Sequence, residues 1–113
     1  MLVEDGQDLG PLLRDTIEGW DRRALLARTG VEALQLLARE VVSLVLLDHD
    51  LPDMSGLEVL DQLRSQQRTI PPVVLMTAGN APPAGVPEVV EVLRKPFELT
   101  ELSALLDRRV PRR

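Results

Sequence analysis

Short runs of apolar residues alternate along this chain with stretches in which leucines recur at helical spacing. Four apolar residues, 44–47, run without interruption into Asp48, and turn-forming residues follow at once. A second run, 73–76, ends at Thr77. Uninterrupted runs of this length are typical of strands buried on both faces of a parallel sheet. The pattern therefore predicts an α/β fold whose central strands end at polar residues.

Three further strands and four regular helices complete the predicted pattern. The strands are 1–3, 24–27 and 89–93, and the helices begin near Asp8, at Gly30, at Gly56 and after Phe97. Asp8 is expected to cap the first helix, and Pro11 falls in its first turn, where a missing N–H is tolerated. Strands that alternate with helices in this way predict a five-stranded parallel sheet with helices on both faces.

One stretch departs from this alternation. Between the fourth and fifth strands, residues 78–87, the composition changes to Gly, Ala and Pro. The prolines at 82, 83 and 87 leave little room for a regular helix, because proline lacks an N–H and clashes with the preceding turn. We therefore expect a shortened or irregular fourth helix in this segment.

Composition narrows the class of protein. The 113 residues have the size of one domain, and an apolar content of 44% is enough for one core. The net charge of −5 argues against direct binding to nucleic acid, whose phosphates need a basic face. No cysteine is available for a disulfide, and no apolar run has the length of a membrane span. We therefore expect a single cytoplasmic domain with no membrane contact.

The polar residues at the strand ends form the main candidate site. Parallel strands end at the same edge of a sheet, which is where open α/β folds bind their ligands. This edge would collect Glu4, Asp5, Asp48, Thr77 and Lys95. Each has an ordinary alternative, as a solvated strand end, a helix cap or a surface charge. Their joint position at four strand ends favours a common site.

The side chains at this edge suit phosphoryl transfer. Two unit charges about 4 Å apart repel by about 4 kcal/mol at an effective dielectric of roughly 20, so three clustered carboxylates require a cation. Oxygen ligands with open positions suit Mg²⁺. The Thr77 hydroxyl and the Lys95 ammonium suit phosphoryl oxygens. An acidic cluster, a hydroxyl, a lysine and a single nucleophile, Asp48, together describe a phosphoryl-transfer site.

Four motifs occur in order along the chain. They are an acidic pair after the first strand, an Asp followed four and eight residues later by Pro and Gly, a hydroxyl residue after the fourth strand, and a Lys-Pro pair. The residues are Glu4 and Asp5, Asp48 with Pro52 and Gly56, Thr77 with Ala78, and Lys95 with Pro96 and Phe97. Over essentially its whole length the chain thus resembles the receiver domains of two-component response regulators. The resemblance implies a doubly wound, flavodoxin-like sheet of strand order 2-1-3-4-5.

The resemblance also implies the roles of the acidic residues. Asp48 would accept a phosphoryl group from a sensor histidine kinase or a histidine phosphotransfer protein. Mg²⁺ would be bound by Glu4, Asp5 and Asp48, together with the backbone carbonyl of Asp50. The family is one of signalling modules, so no enzymatic activity is expected.

Thr77 and Lys95 would contact the phosphoryl oxygens. Phosphorylation adds about −1.5 to −2 charges at neutral pH, which Mg²⁺ and Lys95 would offset. Residues 1–113 would form a single receiver domain without an effector domain. It would signal by a conformational change to an output partner that the sequence does not name.

Two features depart from the usual receiver pattern. The span between Thr77 and Lys95 is a few residues shorter than usual and is rich in proline. Val92 occupies the position, three residues before Lys95, where many receivers carry an aromatic switch residue. A valine cannot swing as a ring does, so the output mechanism is expected to differ. His49 is interpreted as a bystander, and Trp20 as a packing residue of the first helix.

Two alternatives stay open at this point. A phosphatase like the haloacid dehalogenase family also has an Asp-x-Asp after an apolar strand, as at 48–50, with a downstream hydroxyl residue and lysine. That family needs an acidic pair after its lysine and a Thr or Val four residues after the nucleophile, where this chain has Pro52. The second alternative is a pseudo-receiver, which binds partners without being phosphorylated. The shortened fourth-helix region is the feature that favours it.

Overall fold

The computed structural model describes residues 1–66, 68–79 and 86–110. Strands and helices alternate along most of the chain, as the hydrophobic pattern predicts. In chain order the elements are β1 Leu2–Val3, α1 Leu9–Gly19, β2 Leu26–Ala27, α2 Gly30–Arg39, β3 Val45–Asp48, α3 Gly56–Ser65, β4 Val73–Thr77, β5 Val89–Arg94 and α4 Leu99–Arg109. The first two strands have only two residues each and are shorter than expected, whereas β5 extends one residue further.

The five strands form one parallel sheet of order β2-β1-β3-β4-β5, which confirms the predicted order. β1 lies between β2 and β3 and pairs with both. In the pairing of β3 with β4, Asp48 is opposite Met76, and in the pairing of β4 with β5, Thr77 is opposite Arg94. This register brings the carboxyl ends of β1, β3, β4 and β5 together at one edge of the sheet, called the site edge below.

Helices cover both faces of the sheet, and each face has its own core. Because alternate residues of a strand point to opposite faces, Leu46 packs on the side of α1 and α4 and Leu47 on the side of α2 and α3. The buried helix residues are Leu13, Ile17, Leu102, Leu105 and Leu106 on the first side, and Ala33, Val59, Leu60 and Leu63 on the second. Each fully buried leucine contributes about 1.5–3 kcal/mol. The predicted doubly wound arrangement is confirmed.

Hydroxyl side chains cap the N-termini of two of the helices. Thr29 Oγ1 accepts the N–H of Glu32 at α2 (3.0 Å), and Ser55 Oγ accepts the N–H of Glu58 at α3 (3.2 Å). The prediction that Asp8 caps α1 is wrong, because its side chain makes no capping hydrogen bond. Asp8 has helical backbone angles, φ −96° and ψ −40°, whereas a capping residue has an extended backbone that turns its side chain towards the helix amides.

The segment between β4 and β5, where a shortened or irregular fourth helix is expected, falls mostly on residues 80–85, which lie outside the described residues. The described residues that flank them, 78–79 and 86–88, are not helical. Arg64 of α3 donates two side-chain hydrogen bonds to Glu88, just before β5, and these bonds lower the pKa of Glu88. The pair ties the end of α3 to the start of β5.

A buried arginine ties the turn after α1 to the end of α4. The Arg22 side chain is only 4% exposed and donates to Asp107 Oδ1 (2.8 Å) and to the carbonyl of Val110 (3.1 and 3.3 Å). We expect Arg22→Met to lower the free energy of unfolding by about 1.5–3 kcal/mol, because charge-assisted hydrogen bonds are lost. The control is Arg23→Met at the exposed neighbouring position, and both variants are measured by urea unfolding. Equal free energies of unfolding for the two variants would contradict the stabilising role of the Arg22 contacts.

Candidate functional site

The site edge carries three buried polar residues and one partly exposed lysine. Glu4 follows β1, Asp48 and Thr77 are the last residues of β3 and β4, and Lys95 follows β5. Glu4, Asp48 and Thr77 are buried. Buried polar groups of this kind require partners, because an unpaired charge in the interior is costly. Together with Asp5, which follows Glu4, these are the five residues that the sequence predicts for this edge, and they lie at the ends of four neighbouring strands.

Lys95 bridges the two buried carboxylates. Its Nζ lies 2.6 Å from Glu4 Oε1 and 3.1 Å from Asp48 Oδ2, and these acidic side chains are only 3% and 5% exposed. Partial burial by itself lowers the pKa of Lys95, but the hydrogen bonds and negative charges of Glu4 and Asp48 outweigh it and raise the pKa above the usual value. Lys95, the only lysine of the chain, is therefore an ammonium ion at neutral pH.

The remaining carboxylate oxygens are oriented by backbone amides. Asp48 Oδ1 accepts the N–H of Asp50 (3.1 Å), and Glu4 Oε2 accepts the N–H of Gly6 (3.2 Å). Each buried carboxylate thus has one oxygen on Lys95 and the other on a nearby N–H of the chain. This arrangement fixes the orientation of both carboxylate planes without any further group.

The two buried carboxylates, Glu4 and Asp48, form an acidic cluster with the exposed Asp5. Glu4, Asp5 and Asp48 each offer a carboxylate oxygen, and these oxygens lie within 4.8 Å of one another. Asp5 is exposed, so the cluster is accessible from outside. Three carboxylates against one ammonium leave an excess of two negative charges, and an all-oxygen donor set of this charge fits a hard divalent cation such as Mg²⁺.

Thr77 and Lys95 are linked through the backbone. The Lys95 N–H donates to the carbonyl of Thr77 (2.9 Å), and the Thr77 hydroxyl accepts the N–H of Gly79 (3.1 Å). A hydroxyl can donate and accept at the same time, so this bond leaves it able to donate to an anion. The peptide bond between Lys95 and Pro96 is cis.

The β3–α3 loop, residues 49–55, folds back tightly beside Asp48. The His49 N–H donates to the carbonyl of Met76 (2.9 Å), and the Gly56 N–H donates to the carbonyl of His49 (2.7 Å). A Cβ atom on Gly56 would lie 2.8 Å from the carbonyl oxygen of Asp48 and 3.2 Å from His49 Cα. The first distance is shorter than real Cβ contacts and the second is unusually tight, so glycine is the residue that allows the loop to close here.

Three further residues that the sequence analysis singled out do not belong to the acidic cluster. His49 has its Nδ1 buried without a hydrogen-bond partner among the described residues, and its role as a bystander stays a prediction. Trp20 packs, partly buried, against the core on the side of α1. Val92 lies on β5, and 38% of its surface is exposed to solvent.

Sequence reasoning missed two contacts of this region. Asp53 and Met54, in the β3–α3 loop, contact the start of α2 at Gly30 and Val31. No local motif signals this contact, because the partners are more than twenty residues apart along the chain. Only the packing of α2 beside the loop reveals it.

The fold and the cluster at the site edge are those of a receiver-type α/β domain. A family model described as the response regulator receiver domain matches residues 1–107. The chain belongs to this family, which confirms the resemblance. The family is one of signalling modules in two-component systems and not a family of enzymes, so the phosphatase alternative is not favoured.

The curated relatives are longer proteins. The chain is 36% identical over 108 residues to the uncharacterized transcriptional regulatory protein YkoG of Bacillus subtilis, and 36% identical over 110 residues to the transcriptional regulatory protein TctD of Salmonella typhimurium. These matches cover 92% and 94% of this chain, but 47% and 49% of the relatives. The chain thus spans about half the length of these relatives.

Solved structures agree with the fold. A CheY-like receiver domain from Methanospirillum hungatei superposes with a TM-score of 0.84 at 24% identity, covering 93% of this chain and 87% of the other. The response regulator protein TrrA from Thermotoga maritima, solved in complex with Mg²⁺ and BeF, has a TM-score of 0.82 at 25% identity and 96% coverage of both chains. Among residues 1–66, 68–79 and 86–110, none of the helices has the length and apolar character of a membrane span.

Proposed function

We propose that Asp48 accepts a phosphoryl group from the phosphohistidine of a sensor histidine kinase or a histidine phosphotransfer protein. The strongest support is the environment of its carboxylate, which has one oxygen on the Asp50 N–H and the other 3.1 Å from the Lys95 ammonium. In the reaction, an oxygen of Asp48 forms the bond to phosphorus. The bond between phosphorus and the imidazole nitrogen breaks, and its electron pair returns to the ring.

The residues that would hold Mg²⁺ are Glu4, Asp5, Asp48 and the backbone carbonyl of Asp50. The proximity of the three carboxylate oxygens and their excess of negative charge support this assignment. When bound, the ion would neutralise charge on the phosphoryl oxygens. Asp5 is the exposed member of the cluster, so we infer that a donor protein would reach the site from its side.

Lys95 and Thr77 would stabilise the phosphorylated state. Phosphorylation brings about −1.5 to −2 charges to Asp48. We infer that the Lys95 ammonium then moves from the Asp48 carboxylate to a phosphoryl oxygen, while the Thr77 hydroxyl donates to another. The backbone hydrogen bond from the Lys95 N–H to the Thr77 carbonyl holds these two residues side by side. A conformational change towards an output partner would start at this pair.

The output partner is proposed from the relatives. They are named as transcriptional regulators and extend well beyond the matched region. We infer that residues 1–113 act as one receiver unit on an output domain or an output protein of this kind. Any contact with DNA would belong to that partner, because this chain carries a net charge of −5.

The test is intact-mass analysis after incubation with acetyl phosphate and Mg²⁺. We expect one phosphoryl adduct on the wild type, none on Asp48→Asn, and none when the metal is chelated. Asp50→Asn is the matched control and keeps the adduct, because the proposed role of Asp50 runs through its backbone. A wild type that takes up neither a phosphoryl group nor beryllofluoride would favour the pseudo-receiver alternative.

A further inference from the structure

The tip of the β3–α3 loop is fastened to the start of α2. Asp53 Oδ1 accepts the N–H of Gly30 (2.8 Å), and Asp53 Oδ2 accepts the N–H of Val31 (3.0 Å). A helix start offers unpaired amides and a partial positive charge, so a carboxylate is a favourable partner there. These two bonds hold the pKa of Asp53 below its usual value, and the contact is therefore intact at neutral pH.

Packing reinforces this contact. A Cβ atom on Gly30 would lie 2.5 Å from Met54 Cγ and 2.7 Å from Met54 Sδ. Because Gly30 has no side chain, the Met54 side chain occupies the space beside the start of α2 that a Cβ atom would take. Two consecutive loop residues, Asp53 and Met54, thus join the loop tip to α2, one through hydrogen bonds and one through van der Waals contact.

The start of the same loop lies at the site edge, directly after Asp48. The Asp50 N–H donates to Asp48 Oδ1 (3.1 Å), and Asp50 forms an isolated antiparallel bridge with Ser55. The loop therefore runs from the proposed phosphoacceptor to the anchor on α2 within a few residues. Asp50 and Ser55 pair at the base of the loop, and Asp53 lies between them at the tip, three residues after Asp50. We therefore expect the mobility of the tip to affect the backbone at Asp50.

We propose that Asp53 is a positioning residue, which holds the Asp50 backbone ready for the metal ion by anchoring the loop to α2. This inference rests on the proposed function, which assigns the Asp50 carbonyl to Mg²⁺. Ordering a free loop costs conformational entropy, and a loop that is already ordered does not incur that cost when a ligand binds. Loss of the anchor should therefore weaken metal binding without removing any metal ligand.

The test compares two variants that each remove a capping acceptor from α2. Asp53→Ala removes the anchor, whereas Thr29→Ala removes the cap on the Glu32 N–H and leaves the loop contacts in place. Mg²⁺ affinity is measured by calorimetry without a phosphodonor, at a temperature where circular dichroism finds both variants folded. We expect Asp53→Ala to bind Mg²⁺ about tenfold more weakly. This is the lower end of the loss of metal affinity that follows when a residue orienting a metal ligand is removed. Thr29→Ala should stay close to the wild type.

Hydrogen exchange gives a second readout that needs no metal. The Asp50 amide should exchange faster in Asp53→Ala than in Thr29→Ala, and Asp53→Asn, which keeps one acceptor oxygen, should be intermediate. Equal Mg²⁺ affinities and equal exchange in the alanine variants would overturn the proposal and leave Asp53 as a helix cap only. A wild type that binds no Mg²⁺ would instead refute the proposed function itself, so the two failures are distinguishable.

Discussion

Lys95→Met should destabilise the metal-free protein by about 3–5 kcal/mol, the cost of leaving a buried charge without its partner. The substitution leaves Glu4 and Asp48 buried side by side with no ammonium between them. Because a divalent cation can replace the lost positive charge, Mg²⁺ should raise the melting temperature of the variant more than that of the wild type. Urea unfolding in chelator and thermal melts with and without Mg²⁺ measure both effects.

The control for this substitution is Arg94→Met. Arg94 precedes Lys95, but its side chain donates to the carbonyl of Gly79 and not to the buried carboxylates. Loss of its charge should change stability by less than about 1 kcal/mol, as is usual for exposed groups. Equal losses in the two variants would contradict the central place of Lys95 in the site.

The pH dependence of stability follows from the same contact. The pKa of Lys95 is raised above its ordinary value of 10.5 by the two carboxylates, which outweigh the effect of burial. The stabilisation by its ammonium is thus fully present below the unfolded pKa and is lost as the pH rises through the folded one. Wild-type stability should fall in that alkaline window, and Lys95→Met should lack this fall. Since Lys95 is the only lysine, one labelled side-chain resonance reports its titration.

Gly56→Ala should lower the free energy of unfolding by about 1–3 kcal/mol, the usual cost of overpacking. Its Cβ would approach the backbone of Asp48 and His49 to 2.8 and 3.2 Å, and neither backbone atom can rotate away. The loop would have to shift, which also moves the Asp50 N–H away from the phosphoacceptor. We therefore expect slower phosphorylation as well as lower stability.

Gly19→Ala is the matched control for this prediction. Gly19 is the last residue of α1, and a Cβ atom there meets nothing within 4 Å. In a helix, alanine is favoured over glycine by about 0.5–1 kcal/mol, so this variant should be neutral or more stable. If Gly56→Ala were also neutral, the tight closure of the loop beside Asp48 would be refuted. Chemical unfolding and phosphorylation rates are measured side by side.

The parts of the structure that the sequence predicts depend on local pattern and on parallel order. The apolar runs before Asp48 and Thr77 identify buried strands. Parallel order then requires the residues after them to share an edge with Glu4 and Lys95, and they do. The strand order itself came from the family resemblance, because hydrophobic periodicity does not determine which strands are neighbours.

The parts that the sequence does not predict depend on contacts between distant residues. No sequence pattern indicates that Arg22 is buried, because its partners near the end of α4 lie 85 and 88 positions away. Asp53 reads as a turn residue, yet it caps a helix that precedes it by 23 positions. Asp8 is the reverse case, a residue of the right type for a cap whose backbone angles do not allow it.

The most direct test of the proposed phosphoacceptor is to locate the acyl phosphate on the chain. Borohydride reduces an aspartyl phosphate to homoserine, and cleavage after Arg39 and Arg64 releases a peptide, residues 40–64, whose four aspartates are Asp48, Asp50, Asp53 and Asp61. After treatment with acetyl phosphate and Mg²⁺, fragment masses should place homoserine at position 48 alone. Homoserine at another position, with Asp48 unchanged, would contradict the account of this site.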